Sequence, residues 1–181
     1  MNNQGTSKGE QRSGMLTGMF RDRESTEGAY RSLRERGYSE DDINVMMSDK
    51  TRDTHWGGDD NSELGTKAME GTGVGSMVGG TLGAIIGGIA AIGTSVVLPG
   101  AGLVIAGPLA AALAGAGAGG LTGGLAGALI GWGIPEDRAK EYESGIKEGG
   151  TVLGVQPRND EDADYFENEW RNTHHGESIY R

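Results

Sequence analysis

Residues 71–91 read GTGVGSMVGGTLGAIIGGIAA, and a glycine recurs there at every fourth position until residue 87. Residues 115–131 repeat the pattern. A spacing of four keeps residues on one face of an α-helix, and glycine stripes let two helix backbones approach closely. The pattern therefore predicts a helical hairpin closed by a glycine zipper. Its packing and self-association residues are Gly71, Gly75, Gly79, Gly83, Gly87, Gly115, Gly119, Gly123, Gly127 and Gly131.

The predicted hairpin spans residues 67–134, with its turn at Val96–Gly102. Residues 71–135 contain no Asp, Glu, Lys, Arg or His and hold 21 of the 35 glycines in this chain of 181 residues. All charge therefore lies in the two flanks, which give the chain a formal net charge of −10. An acidic chain is a poor ligand for nucleic acid, and the lack of cysteine excludes disulfides and thiolate-bound metals.

The N-terminal flank is predicted to contain a disordered tail, a folded half and a linker. The tail covers residues 1–13, which are polar and contain no secretory signal, so a cytoplasmic location is expected. Residues 14–50 are predicted to form β-α-β, with Asp22 capping the helix and Gly37 ending it. Residues 51–66 are rich in Asp, Asn, Ser and Gly and suit an exposed linker.

The C-terminal flank, residues 135–181, is predicted to form α-β-α-β. A helix begins at Pro135, a strand follows at 151–155, and a helix at 160–172 leads to a last strand at 178–180. Two such halves indicate an α+β, ferredoxin-like split β-α-β sandwich. That fold has a four-stranded antiparallel sheet with helices on one face, interrupted here by the long glycine-zipper helical hairpin.

The apolar hairpin must be covered by something, and the sequence leaves two coverings open. Each arm of about 28 residues would extend roughly 42 Å at 1.5 Å per residue, which exceeds the ~20 residues that span a bilayer. A hairpin in the inner membrane, with both flanks in the cytoplasm, fits that length. Hairpins from several chains that form the core of a soluble homo-oligomer fit the apolar surface equally.

No arrangement of catalytic or metal-binding residues is evident. The histidines are His55, which lies in the predicted linker near Asp59 and Asp60, and the adjacent pair His174 and His175. An ordinary surface role is favoured over metal binding at both places. Residues 115–120 match a dinucleotide-binding glycine pattern, but no predicted strand leads into them. We therefore expect a protein that is not an enzyme and that has no cofactor and no metal.

Several segments also resemble the bacterial general stress protein family, the heat- or cold-induced proteins of the 17M-like kind. The resemblance covers residues 14–156 and is most specific in Gly131–Val155 (GWGIPEDRAKEYESGIKEGGTVLGV). It implies a stress-linked, non-catalytic protein and carries over no catalytic residue.

Together these expectations describe a non-enzymatic stress-response protein that self-associates and inserts in or attaches to the membrane through its hairpin. One alternative is the soluble homo-oligomer, and another is a small-ligand sensor on the ferredoxin-like sheet. The expected partners are further copies of the chain and membrane lipid, not nucleic acid.

Overall fold

A computed structural model describes residues 14–55, 96–98, 102–110, 124–131 and 133–181. They form one antiparallel sheet of six strands with helices packed on it, so the predicted α+β class is confirmed. The strands are β1 (Leu16–Phe20), β2 (Ile43–Ser48), β3 (Val96–Leu98), β4 (Leu103–Ala106), β5 (Thr151–Val155) and β6 (Glu177–Tyr180). The helices are α1 (Arg23–Glu35), α2 (Asp49–His55), α3 (Gly124–Gly131), α4 (Glu136–Lys147) and α5 (Asp160–Asn172), and a 3₁₀ turn covers Glu40–Asp42.

The strand order across the sheet is β3-β4-β2-β5-β1-β6, and every neighbouring pair is antiparallel. Strand β5 lies between β1 and β2, so Val155 is opposite both Leu16 and Ile43. The two strands of the N-terminal flank therefore do not pair with each other. They are joined by a strand that comes more than a hundred residues later in the chain.

One face of the sheet is covered by α1 and α5. Alternate strand residues such as Leu16, Val45 and Leu153 meet the inner sides of these helices, where Leu33 and Trp170 are fully buried. The local signals for α1 are those predicted: the Asp22 side chain accepts a hydrogen bond from the Ser25 amide. Gly37 follows the helix with a φ of 83°, the left-handed conformation that suits a glycine stop.

The other face of the sheet is covered as well, which corrects the prediction of helices on one face. The remaining strand residues, among them Met19, Met46 and Val152, pack against α3, α4 and residues 109–110. Every residue of β1 and of β5 is consequently buried. The architecture is a sheet between two helical layers, and its second layer comes partly from the glycine-rich segment.

The chain reverses direction within the predicted turn at Val96–Gly102, but strands, and not the predicted helix ends, flank this reversal. Strands β3 and β4 occupy that stretch and the residues after it, and they pair with Leu98 opposite Leu103. Strand β4 then adds to β2, so the apolar segment extends the sheet from four strands to six. A second difference is α2, a short helix that lies where the exposed linker was predicted to begin.

Candidate functional site at the glycine-rich insertion

The insertion is fixed to the sheet at Gly107, directly after β4. Its φ is 97°, and a Cβ there would lie 2.1 Å from the carbonyl oxygen of Ile43. Only glycine fits a backbone approach of this kind, because a side chain would meet main-chain atoms that cannot move aside. The chain at Gly107 is therefore held against the start of β2.

Asn44 provides the second fixing point and is 3% exposed. Its Oδ1 accepts a hydrogen bond of 2.8 Å from the Leu109 amide, and its Nδ2 donates to the carbonyl of Gly154. Residues 108–110 are helical, so the first of these bonds satisfies an amide at the start of a helical turn. The side chain thus ties β2, β5 and the insertion together.

Helix α3 has two sides that differ in what they touch. Leu125 and Leu129 are buried against the sheet layer, 2% and 0% exposed. Ile130 is 42% exposed, and a Cβ on Gly127 would meet no atom within 4 Å. The helix sequence, GLAGALIG, contains no polar side chain on either side. A helix that is apolar all round is normally buried all round, so the outer side of α3 has the character of a contact surface.

The predicted zipper glycines are only partly within the described residues. Gly127 and Gly131 belong to α3. The other eight lie outside the described residues: Gly71, Gly75, Gly79, Gly83, Gly87, Gly115, Gly119 and Gly123. The close contact between the two predicted arms is therefore still a prediction.

A buried hydroxyl pair connects α4 to the far edge of the sheet. The hydroxyls of Thr17 and Tyr142 lie 2.8 Å apart, and Tyr142 donates a bond of 2.5 Å to the carbonyl of Ser178. Burial raises the pKa of Tyr142 to about 12. The group therefore stays a neutral donor at any ordinary pH and anchors β6.

A polar cluster joins the end of α1 to the start of α5. The Tyr38 hydroxyl and the Arg36 Nε donate to the two oxygens of Asp162, at 2.7 and 2.6 Å. Burial acts to raise the pKa of the Asp162 carboxyl, but these two hydrogen bonds outweigh it and hold the pKa below 3.8. The arrangement binds a structural carboxylate, and both oxygens of Asp162 have protein donors.

The two C-terminal histidines line a cleft of about 350 Å³ beside the start of α1. His174 is half-buried there, whereas His175 is exposed. Within the described ranges, no three His, Asp or Glu side chains converge closely enough to hold a metal ion. In the same part of the chain, no helix has the length and apolar character to cross a bilayer.

No family model, no curated protein and no solved structure matches the chain. The resemblance to general stress proteins accordingly stays an expectation.

Sequence reasoning missed Asn44 and Gly107, which hold the insertion on the sheet. The available signal was the apolar run Leu103–Ala106, which lies between two glycines and has the length of a strand. Asn44 has no comparable signal, because its partner amide is 65 residues away.

Proposed function

We propose that the protein is a non-enzymatic, cytoplasmic stress-response protein that self-associates through its glycine-rich insertion. The observation that carries this proposal is the outer side of α3, where Ile130 is exposed and Gly127 leaves room for a close neighbour. Small residues beside an apolar side chain favour close helix-helix packing. The absence of any polar group on α3 favours a protein surface as its cover over water.

We further propose that the sheet strands β2, β5, β1 and β6 form a ferredoxin-like unit with α1 and α5. Their order and antiparallel pairing support this, as does the placement of both helices on the same face. The glycine-zipper hairpin would then be an insertion between β2 and α4. Its second arm would end in α3, with the zipper glycines on the outer side.

A membrane is the alternative cover for the apolar segment, and the proposal of self-association must be tested against it. Insertion of the whole hairpin would have to remove Ile105, Leu109 and Leu129 from the sheet, where each is 0% exposed. This burial supports self-association over insertion of both arms. A membrane could still bind the outer side of α3 without disturbing these residues.

The small-ligand alternative has less support. A sensor of the predicted kind needs an open sheet face, and both faces carry buried residues under helices.

Light scattering on the full chain without detergent tests the proposal. We expect the wild type to form a particle of defined mass that contains several chains. Gly127→Leu should reduce that mass, because the larger side chain blocks close approach on the outer side while the space around Gly127 lets the chain fold. Gly127→Ala is the matched control and should keep the assembly.

Four results would contradict parts of the proposal. A monomer for the wild type would remove self-association, and equal masses for both Gly127 variants would remove the role of α3. Retention of the wild type in carbonate-washed membranes would instead favour the membrane as the cover. A deletion strain that survives heat and cold shock as well as its parent would contradict the stress role.

A further inference from the structure

The side chain of His174 packs the turn between α5 and β6 against α1. Its ring lies on Gly28, where an added Cβ would come within 2.4 Å of Nδ1 and 2.6 Å of Cε1. Gly28 lies inside α1, a position where glycine costs about 1 kcal/mol relative to alanine. The glycine thus leaves the space that the imidazole fills, and the ring connects α1 to the turn after α5.

Charged groups surround the ring on several elements. The His174 Nε2 lies 3.5 Å from the Glu169 Oε1 of α5, and the His174 side chain is 18% exposed. Helix α1 contributes Arg31 and Glu35, and the turn contributes His175. The cleft beside the ring is also lined by Asp22, Glu24, Ser25 and Thr173. Burial lowers the pKa of His174 and is assisted by Arg31 and His175, against the opposing effects of Glu169 and Glu35.

The strand after His174, β6, lies at the edge of the sheet and is paired irregularly. Strand β6 matches β1 at two positions, Thr17 with Tyr180 and Met19 with Glu177, and the register shifts between them. His175 has a φ of 51° and Ser178 a φ of 49°. Residues other than glycine adopt this left-handed conformation at an energetic cost. Contacts around the segment from α5 to β6 therefore maintain its path.

We propose that His174 is an acid-operated latch: when neutral it holds the turn against Gly28 of α1, and when protonated it leaves this place and loosens β6 on the edge of β1. The half-buried ring favours the neutral form because an imidazolium there loses solvation and faces Arg31. One proton is involved, so the opening equilibrium rises at most tenfold for each pH unit of acidification. The latch is independent of self-association through α3.

Hydrogen exchange of the full-length protein, followed by mass spectrometry, tests the latch. Exchange rates are divided by the intrinsic rates at the same pH, so that only opening is compared. Between about pH 7.5 and 5, the range in which a histidine changes charge, protection in peptides from residues 173–181 should fall several-fold. Peptides from β5 serve as the internal reference and should keep their protection.

Two variants separate the latch from its neighbour. His174→Gln removes the titrating group, so protection of residues 173–181 should no longer depend on pH over this range. His175→Gln is the matched control, because this adjacent histidine is exposed, and it should keep the wild-type dependence.

Gly28→Ala should imitate the acidic state at neutral pH. The added methyl occupies the place of the ring, so protection of β6 should be low at both pH values. If Gly28→Ala leaves β6 as protected as in the wild type, the proposed seat is wrong. The latch is also overturned if wild-type protection does not change with pH, or if His175→Gln abolishes the change.

Discussion

The helices that cover the sheet differ in character, because α1, α4 and α5 each have a charged side and α3 has none. On the face of α1 and α5, each helix has a buried side and a charged side, and the exposed charges include Arg31 of α1 and Asp164 of α5. On the other face, α3 has no charge and leaves Ile130 exposed. A charged outer side indicates that a helix borders water, whereas an uncharged one leaves its neighbour unspecified. The sequence therefore predicted most helices and strands of the flanks, and it did not predict the strands of the glycine-rich segment.

The largest effect on stability is expected at Gly107, which joins the second layer to the sheet. Gly107→Ala should lower the free energy of unfolding by about 4 kcal/mol or more, because strain at a positive φ adds to a clash with the backbone. Urea denaturation followed by circular dichroism measures this. Gly102→Ala is the control, since it has a φ of 60° and open space, and it should cost about 1–2 kcal/mol. Equal losses for both variants would show that the contact with Ile43 is unimportant.

Truncation of one leucine on each face tests whether the two helical layers unfold as one cooperative unit. Leu33→Ala and Leu129→Ala both remove side chains that are 0% exposed, and each should cost about 3 kcal/mol. Both variants should unfold in a single transition, because both leucines pack on the same sheet. At a protein concentration low enough for the chain to be a monomer, Ile130→Ala, on the exposed side of α3, should change stability by less than about 0.5 kcal/mol. A separate early transition in Leu129→Ala would mean that the second layer folds by itself.

The smallest of the three losses of stability is expected at Asp162, on the face of α1 and α5, and it depends on pH. Asp162→Asn should destabilise the protein by about 2 kcal/mol near pH 7, since two hydrogen bonds to a charged carboxylate are weakened. The folded-state pKa of Asp162 is below 3.8. Its contribution is therefore fully present above that value and is lost as the pH falls through the folded-state pKa.

The difference between wild type and Asp162→Asn should accordingly shrink in acid, as measured by denaturation at a series of pH values. Asp164→Asn, at an exposed ion pair on the same helix, is the control and should have little effect. A constant difference down to pH 2 would contradict the assignment.

Local signals were sufficient for most elements of the flanks, although α2 was missed. Residues 151–155 and 160–172 were predicted with the bounds that β5 and α5 have. Asp22 and Gly37 mark the ends of α1 through their own backbone chemistry, so no distant contact is needed to recognise them.

The insertion was harder because its signals are ambiguous. Periodicity does not separate a short apolar strand from a piece of buried helix, and Leu103–Ala106 lies in a segment rich in glycine. The second helical layer did leave a trace in the strands. Thr151–Val155 reads TVLGV without polar alternation, which is typical of a strand buried on both faces. The anchors Asn44 and Gly107 depend on contacts distant in sequence, which a single sequence does not specify.

The position of β5 between β1 and β2 also determines the order in which the sheet can form during synthesis. About 100 residues separate the end of β2 from the start of β5, which at about 5–20 residues per second takes the ribosome roughly 5–20 s. In that interval β1 and β2 have no common neighbour, and the apolar insertion leaves the ribosome before the strand that completes its sheet. The nascent chain thus exposes its most apolar segment before the strand that completes the sheet is available to cover it.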